Sequence, residues 1–141
     1  MNRAFTAIVL LALGIVGCAT ALQTDPIPQE LKTPSLLYFI ENHGKDTHGI
    51  DRLIAHEIRS RGLKANNGRP SARPTQFDVL VVYEDRWQWD MSNYLIFLRI
   101  DLRDPATNVL LATGSSYQSS LARKPERQVV AQIIAEMFGP R

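Results

Sequence analysis

The sequence predicts an α+β fold, a four-stranded mixed sheet with two helices packed on one face, in the order β-α-β-β-β-α. Three observations carry that expectation. Residues 94–103 alternate, with Tyr94, Ile96, Leu98, Ile100 and Leu102 on one side and Arg99, Asp101 and Arg103 on the other, the pattern of a half-exposed antiparallel strand. Ile50, Leu53, Ile54 and Ile58 recur at helical spacing, as do Val130, Ile133, Ile134, Met137 and Phe138. Between them, Asp104-Pro105 has the chemistry of a tight turn and sends the chain back into a second apolar run from Val109.

Taken in order, residues 35–40 are a short apolar run rich in strand formers that ends at Asn42-His43-Gly44, which reads as a buried strand. A helix follows, with Thr47 placed as its N-cap, Asp51 near its positive end and Gly62 as the left-handed residue that closes it. Residues 65–76 offer no apolar face and read as a loop. From Asp78 the chain is apolar on both faces and then amphipathic, and a period of two sets Tyr83, Asp85, Trp87 and Trp89 on one side. The strands at 94–103 and 109–117 complete a meander. Pro125 then opens the last helix and Gly139-Pro140 ends it. A right-handed crossover would set the first strand parallel to the second.

The composition fits one globular domain: 141 residues, 45% hydrophobic and 21% charged. Sixteen basic against fourteen acidic residues leave a charge of +2, too near balance for a general nucleic-acid binder. A single cysteine, Cys18, excludes an internal disulfide and any CxxC pair. Residues 4–17 carry no charge, yet a spanning helix needs about 20 apolar residues, so this run has the proportions of a secretory signal peptide.

The segment Ile15-Val16-Gly17-Cys18 that follows resembles the lipobox of bacterial lipoproteins. That resemblance implies a diacylglyceryl group on the Cys18 thiol, cleavage before Cys18, and attachment to a membrane through the lipid. Ala19 rather than Asp follows the cysteine, which in a Gram-negative cell implies the periplasmic face of the outer membrane. The chain then divides into a signal peptide at 1–17, a lipidated N-terminus and semi-extended tether at 18–34, and an α+β domain at 35–141.

Within the domain, residues 78–123 contain Tyr83, Asp85, Trp87, Trp89-Asp90-Met91, Tyr94-Leu95, the Asp-Pro turn, Leu111-Ala112, Gly114-Ser115-Ser116-Tyr117 and Ser120-Leu121. This stretch resembles a group of small uncharacterised bacterial lipoproteins. The layout is more loosely similar to accessory envelope lipoprotein domains of the LpoB, CsgG and TolB N-terminal type. The function this implies is a non-catalytic accessory or binding module of an envelope complex, with an envelope protein or a second copy as partner and no cofactor.

The residues themselves offer no reaction. His43, Asp46, His48, Asp51 and His56 lie close in sequence, but no pair of histidines stands four apart, and a loop leading into a helix cap accounts for them without a metal. Gly44-Lys45 lacks the glycine five places earlier that a phosphate loop needs; Phe39 stands there. There is no Gly-x-Ser-x-Gly elbow. Two surfaces are candidates for contact. Tyr83, Trp87 and Trp89 form an aromatic strand face that something must cover, either the domain's own helices or a partner. Read instead as a platform, Trp87 and Trp89 would suit a protein that binds or processes cell-wall glycan or lipid. Arg59, Arg61, Lys64, Arg69 and Arg73 form a basic stretch suited to an anionic surface, or equally to solvent.

Overall fold

The computed structural model describes residues 20–141. Cys18 and the signal peptide lie outside the described residues. The strands are β1 (Ala21–Thr24), β2 (Leu37–Glu41), β3 (Lys64–Gly68), β4 (Val79–Asp90), β5 (Ser92–Arg103) and β6 (Leu110–Tyr117). The helices are α1 (Ile50–Arg59) and α2 (Glu126–Phe138), with short 3-10 turns at Gln29–Lys32 and Pro70–Ala72. The strands form one six-stranded sheet in the order β1-β6-β5-β4-β2-β3. β2 runs parallel to both β3 and β4, and the other pairs are antiparallel. The fold is α+β, but the expected four-stranded sheet is corrected to six strands.

Both added strands are edges, and their sequences show why periodicity missed them. β1 is four residues of the stretch read as a tether, too short to display alternation. Its backbone pairs with β6 from Ala21–Tyr117 to Thr24–Gly114, and Leu22 packs against the core. β3 lies in the stretch read as a loop and reads Lys-Ala-Asn-Asn-Gly, a composition poor in strand formers. Main-chain pairing along all of β2 holds it in the sheet, and only Ala65 is buried. Tertiary pairing overrides local preference in both places.

The tether continues into the fold beyond β1. Ile27 is buried at 4% exposure. The Asp25 amide donates to the Thr113 carbonyl at 2.8 Å and the Ile27 amide to that of Met137 at 3.0 Å. The Tyr38 hydroxyl donates to the Leu31 carbonyl.

The core fills the space between the sheet and both helices, with Tyr38, Ile40, Val79, Val81, Leu98, Ile100 and Leu102 meeting Ile54, Ile58, Val130, Ile133, Ile134 and Met137. At Gly114 the approach of α2 is so close that a Cβ would stand 2.7 Å from Met137 Sδ and 2.8 Å from Ile133 Cγ2. The other sheet face carries a charged ladder in which Arg99 pairs with Glu84 at 3.0 Å and Arg103 with Asp101 at 3.0 Å.

A register shift between Arg86 and Trp87 corrects the expected face of β5. Arg86 stands opposite Phe97 but Trp87 opposite Leu95, so Leu95 enters the core and is 1% exposed. Tyr94, opposite Gln88, leaves the face of Leu98 and lies under the Arg123 guanidinium, 4.5 Å from its ring centre. A bulge of this kind changes which residues face inward along one strand.

Candidate functional site

β4 delivers Tyr83, Asp85, Trp87 and Trp89 to one face, and the segment between β2 and α1, residues 42–49, packs over the first three. Asp46 organises this segment. Its Oδ1 accepts from the amides of His48 and Gly49, both at 2.7 Å, and its Oδ2 from the Tyr83 hydroxyl at 2.8 Å and the Asp51 amide at 3.3 Å. The side chain that receives the first amides of α1 is therefore the Asp46 carboxylate rather than the Thr47 hydroxyl, and Gly49 occupies the N-cap position with φ at 75°. A side chain on Gly49 would also collide with the Arg52 guanidinium.

Burial pushes the Asp46 carboxyl up, but the Tyr83 hydroxyl and three backbone amides outweigh it and hold the group below the usual carboxylate range. Tyr83 is driven the other way, far above the ordinary phenol range, first by burial and then by its bond to Asp46. Its proton stays on the phenol and is shared with the carboxylate.

A second knot lies one step along β4. The Asp85 Oδ1 accepts from His43 Nε2 at 2.7 Å, and its Oδ2 accepts from Trp87 Nε1 at 2.7 Å. The His48 imidazole lies flat on the Trp87 indole, and the His43 ring packs beside Tyr83 with centroids 4.9 Å apart. Asp46, His48 and Asp85 each bring a metal-binding atom within 4.8 Å of the others. Sequence spacing shows His43, Asp46 and His48 as neighbours but hides Asp85, which reaches them through the parallel crossover. His56 is exposed on α1, and Asp51 instead accepts from the Asn67 amide at 2.7 Å. With their oxygens bonded as described, Asp46 and Asp85 brace the segment against β4.

The aromatic trio divides by depth. Tyr83 is buried and Trp87 half-buried against the core, whereas Trp89 is 73% exposed. Trp89 stands near the tip of the β4–β5 hairpin. There Met91 is 93% exposed with φ at 57°, and Asp90 is held by Arg123 at 2.8 Å. Leu121, two residues before that arginine, is 80% exposed.

The basic stretch does not form one surface. Arg59 is exposed at the end of α1 and Lys64 opens β3, while Arg69 and Arg73 flank the 3-10 turn at the other end of β3, where Arg73 pairs with Glu41. Arg61 turns inward, donating to the Gly139 carbonyl at 2.8 Å and lying over Phe138. With Lys32, Leu63, Phe138 and Arg141 it lines a cavity of about 270 Å³ at the foot of the helices.

No family model matches the chain, and no curated protein matches it. Among solved structures it is similar to the PelC dodecamer from Paraburkholderia phytofirmans in space group P6, with a TM-score of 0.59 and 11% identity over 84% of this chain and 94% of that one. A point variant of the same PelC dodecamer in space group C2 aligns with a TM-score of 0.59 and 11% identity, over 84% of this chain and 93% of that one. What is shared is the fold.

Proposed function

We propose that this chain is a membrane-anchored envelope lipoprotein whose domain is a non-catalytic binding module, assembled with copies of itself or with an envelope partner. The observation that carries the reading is the docking of residues 21–32 onto the domain through β1, Ile27 and Leu31. Lipid on Cys18 would then be three residues from the sheet, a reach of at most about 11 Å. The anchor would hold the domain against its leaflet in a restricted orientation, as suits a module that presents one surface. Two or three acyl chains, at about 0.8 kcal/mol per buried CH₂, make such an attachment stable.

Two other features support it. The polar cluster around Asp46 and Asp85 spends its carboxylate oxygens on Tyr83, backbone amides, His43 and Trp87, a bracing arrangement rather than a reactive one. Among the described residues the sheet ends in β1 and β3, edge strands of the kind that offer main-chain groups to a neighbour, and the fold is one that PelC displays as a dodecamer. The periplasmic face of the outer membrane is the location that Ala19 after Cys18 favours in a Gram-negative cell. A glycan platform is the less supported reading, because His48 already covers one face of Trp87.

The test is metabolic labelling with a fatty acid, followed by light scattering on the detergent-extracted protein. Label should enter the wild-type chain and be lost in Cys18→Ser, and the extracted particle should have a mass of several chains or of a defined complex. Label retained by Cys18→Ser overturns the anchoring, and a single chain without a captured envelope partner overturns the assembly.

A further inference from the structure

Pairing across the sheet places Ala21 opposite Tyr117, Tyr117 opposite Phe97, and Phe97 opposite Arg86, one row through four strands. β1 begins at this row and runs away from the hairpin, so its N-terminal end faces the side toward which the β4–β5 hairpin projects. The hairpin runs on past the row through the pairs Trp87–Leu95, Gln88–Tyr94, Trp89–Asn93 and Asp90–Ser92 to Met91. At about 3.3 Å per residue its tip stands roughly 15 Å beyond the row, and three strand spacings set it roughly 14 Å to the side of β1. Three residues separate Ala21 from Cys18, a reach of at most about 11 Å.

We propose that the hairpin tip is a membrane-insertion element: Trp89, Met91 and Leu121 enter the interfacial region of the leaflet that holds the Cys18 lipid, with Arg123 at the headgroups. The proposal rests on the lipoprotein reading given above. The lengths match, because a thioether-linked lipid fixes Cys18 near the headgroups and the tip then extends a few ångströms deeper. The composition matches too. Trp89, Met91 and Leu121 are the most exposed large apolar residues of the described chain, and Trp at a membrane boundary keeps its body apolar and its N–H wet. Arg123 neutralises Asp90 and holds residues 120–123 beside the hairpin through Asp90, Ser92 and the Ser120 carbonyl. The one acid at the tip therefore enters as an ion pair. Trp87, two residues earlier, is closed off by His48 and the core, so only the outer part of the strand is free to insert.

The experiment uses the full-length lipidated protein in vesicles of phosphatidylethanolamine and phosphatidylglycerol, with and without a phosphatidylcholine brominated on its acyl chains. In Trp87→Phe, Trp89 is the sole tryptophan. Its emission should shift to the blue, lose most of its intensity to the bromines and resist iodide. Emission that iodide quenches and bromolipid does not overturns the proposal. Emission shielded from both also overturns it, and assigns the tip to a contact with another protein chain. Should Trp87→Phe fail to fold, an environment-sensitive dye on Met91→Cys in the otherwise unaltered chain gives the same reading, since the Cys18 thiol is consumed by lipid. Fatty-acid label is measured on the same samples. Its absence overturns the anchoring and the insertion together, whereas label present with a wet Trp89 overturns the insertion alone.

Discussion

The Trp87 indole lies against the His48 imidazole with ring centroids 3.5 Å apart and planes 14° from parallel, while the indole nitrogen donates to Asp85. Two residues along the same strand face, Trp89 has no such cover. The two tryptophans should therefore separate in mutagenesis. Trp89→Ala removes surface that is already wet and should leave the thermal midpoint within about a degree or two of wild type, since exposed substitutions stay near ±0.5 kcal/mol. Trp87→Ala strips half-buried area and a hydrogen bond and should cost about 2–3 kcal/mol, below the 3–5 typical of a fully buried tryptophan. Calorimetry on each single variant decides it, and equal midpoints would show that the stack contributes no stability.

Asp46 sets the response to acid. Its carboxyl titrates lower in the folded chain than the ordinary aspartate value, so its contribution is fully present above about pH 4 and is lost as pH falls through the folded value. Asp46→Asn should destabilise the domain at pH 7, and the gap from wild type should close below about pH 4. Urea unfolding at both pH values measures it; a gap that persists in acid would mean the side chain acts by shape and not by charge.

Tyr83 sets the response to base with the opposite sign. Burial and Asp46 keep its phenol protonated well above the ordinary range, so its contribution is complete below about pH 10 and fades above it as the unfolded chain ionises. Tyr83→Phe should lose stability at pH 7 through the orphaned Asp46 oxygen, by about 1–2 kcal/mol, and should flatten the alkaline limb of the stability profile. Denaturant titrations between pH 8 and 11 would expose a failure of this assignment as parallel curves for the two proteins.

The legible parts of this fold are those whose side chains carry a period. The stripe of α2, the alternation of β5 beyond its bulge and the face shared by Tyr83, Asp85 and Trp87 are all visible in the order of residues, because each buries a repeating apolar set. β3 is invisible because its pairing is made by the backbone, and a polar Lys-Ala-Asn-Asn-Gly run advertises nothing. The bulge that redirects Tyr94 is a main-chain event with no residue of its own. The cluster at Asp46 was half legible: its loop members are neighbours in sequence, but Asp85 joins them only when β2 and β4 lie parallel. The basic stretch is contiguous in sequence but not in space, since a helix end, a strand and a turn disperse its members and fold Arg61 inward.

The docked N-terminal segment makes the sharpest comparison. Read from sequence, residues 18–34 are a lipidated N-terminus and tether and the α+β domain spans 35–141. In the structure, residues of that tether, Leu22, Ile27 and Leu31 among them, pack on the domain. Without residues 20–34, β6 loses its edge partner, Tyr38 loses the Leu31 carbonyl that accepts its buried hydroxyl, and Leu22, Ile27 and Leu31 leave the core. A fully buried isoleucine alone contributes about 1.5–3 kcal/mol, and Leu22 and Leu31 add part of that each, together with an unpaired buried phenol at about 1–3 kcal/mol. The sum is comparable to the whole stability of a small domain, about 5–15 kcal/mol. The fragment 20–141 should unfold in one cooperative transition, whereas 35–141 should melt many degrees lower or lack a transition. Circular dichroism on the two fragments is enough, and coincident melting curves would mean that β1 and Ile27 lie on the domain without holding it together.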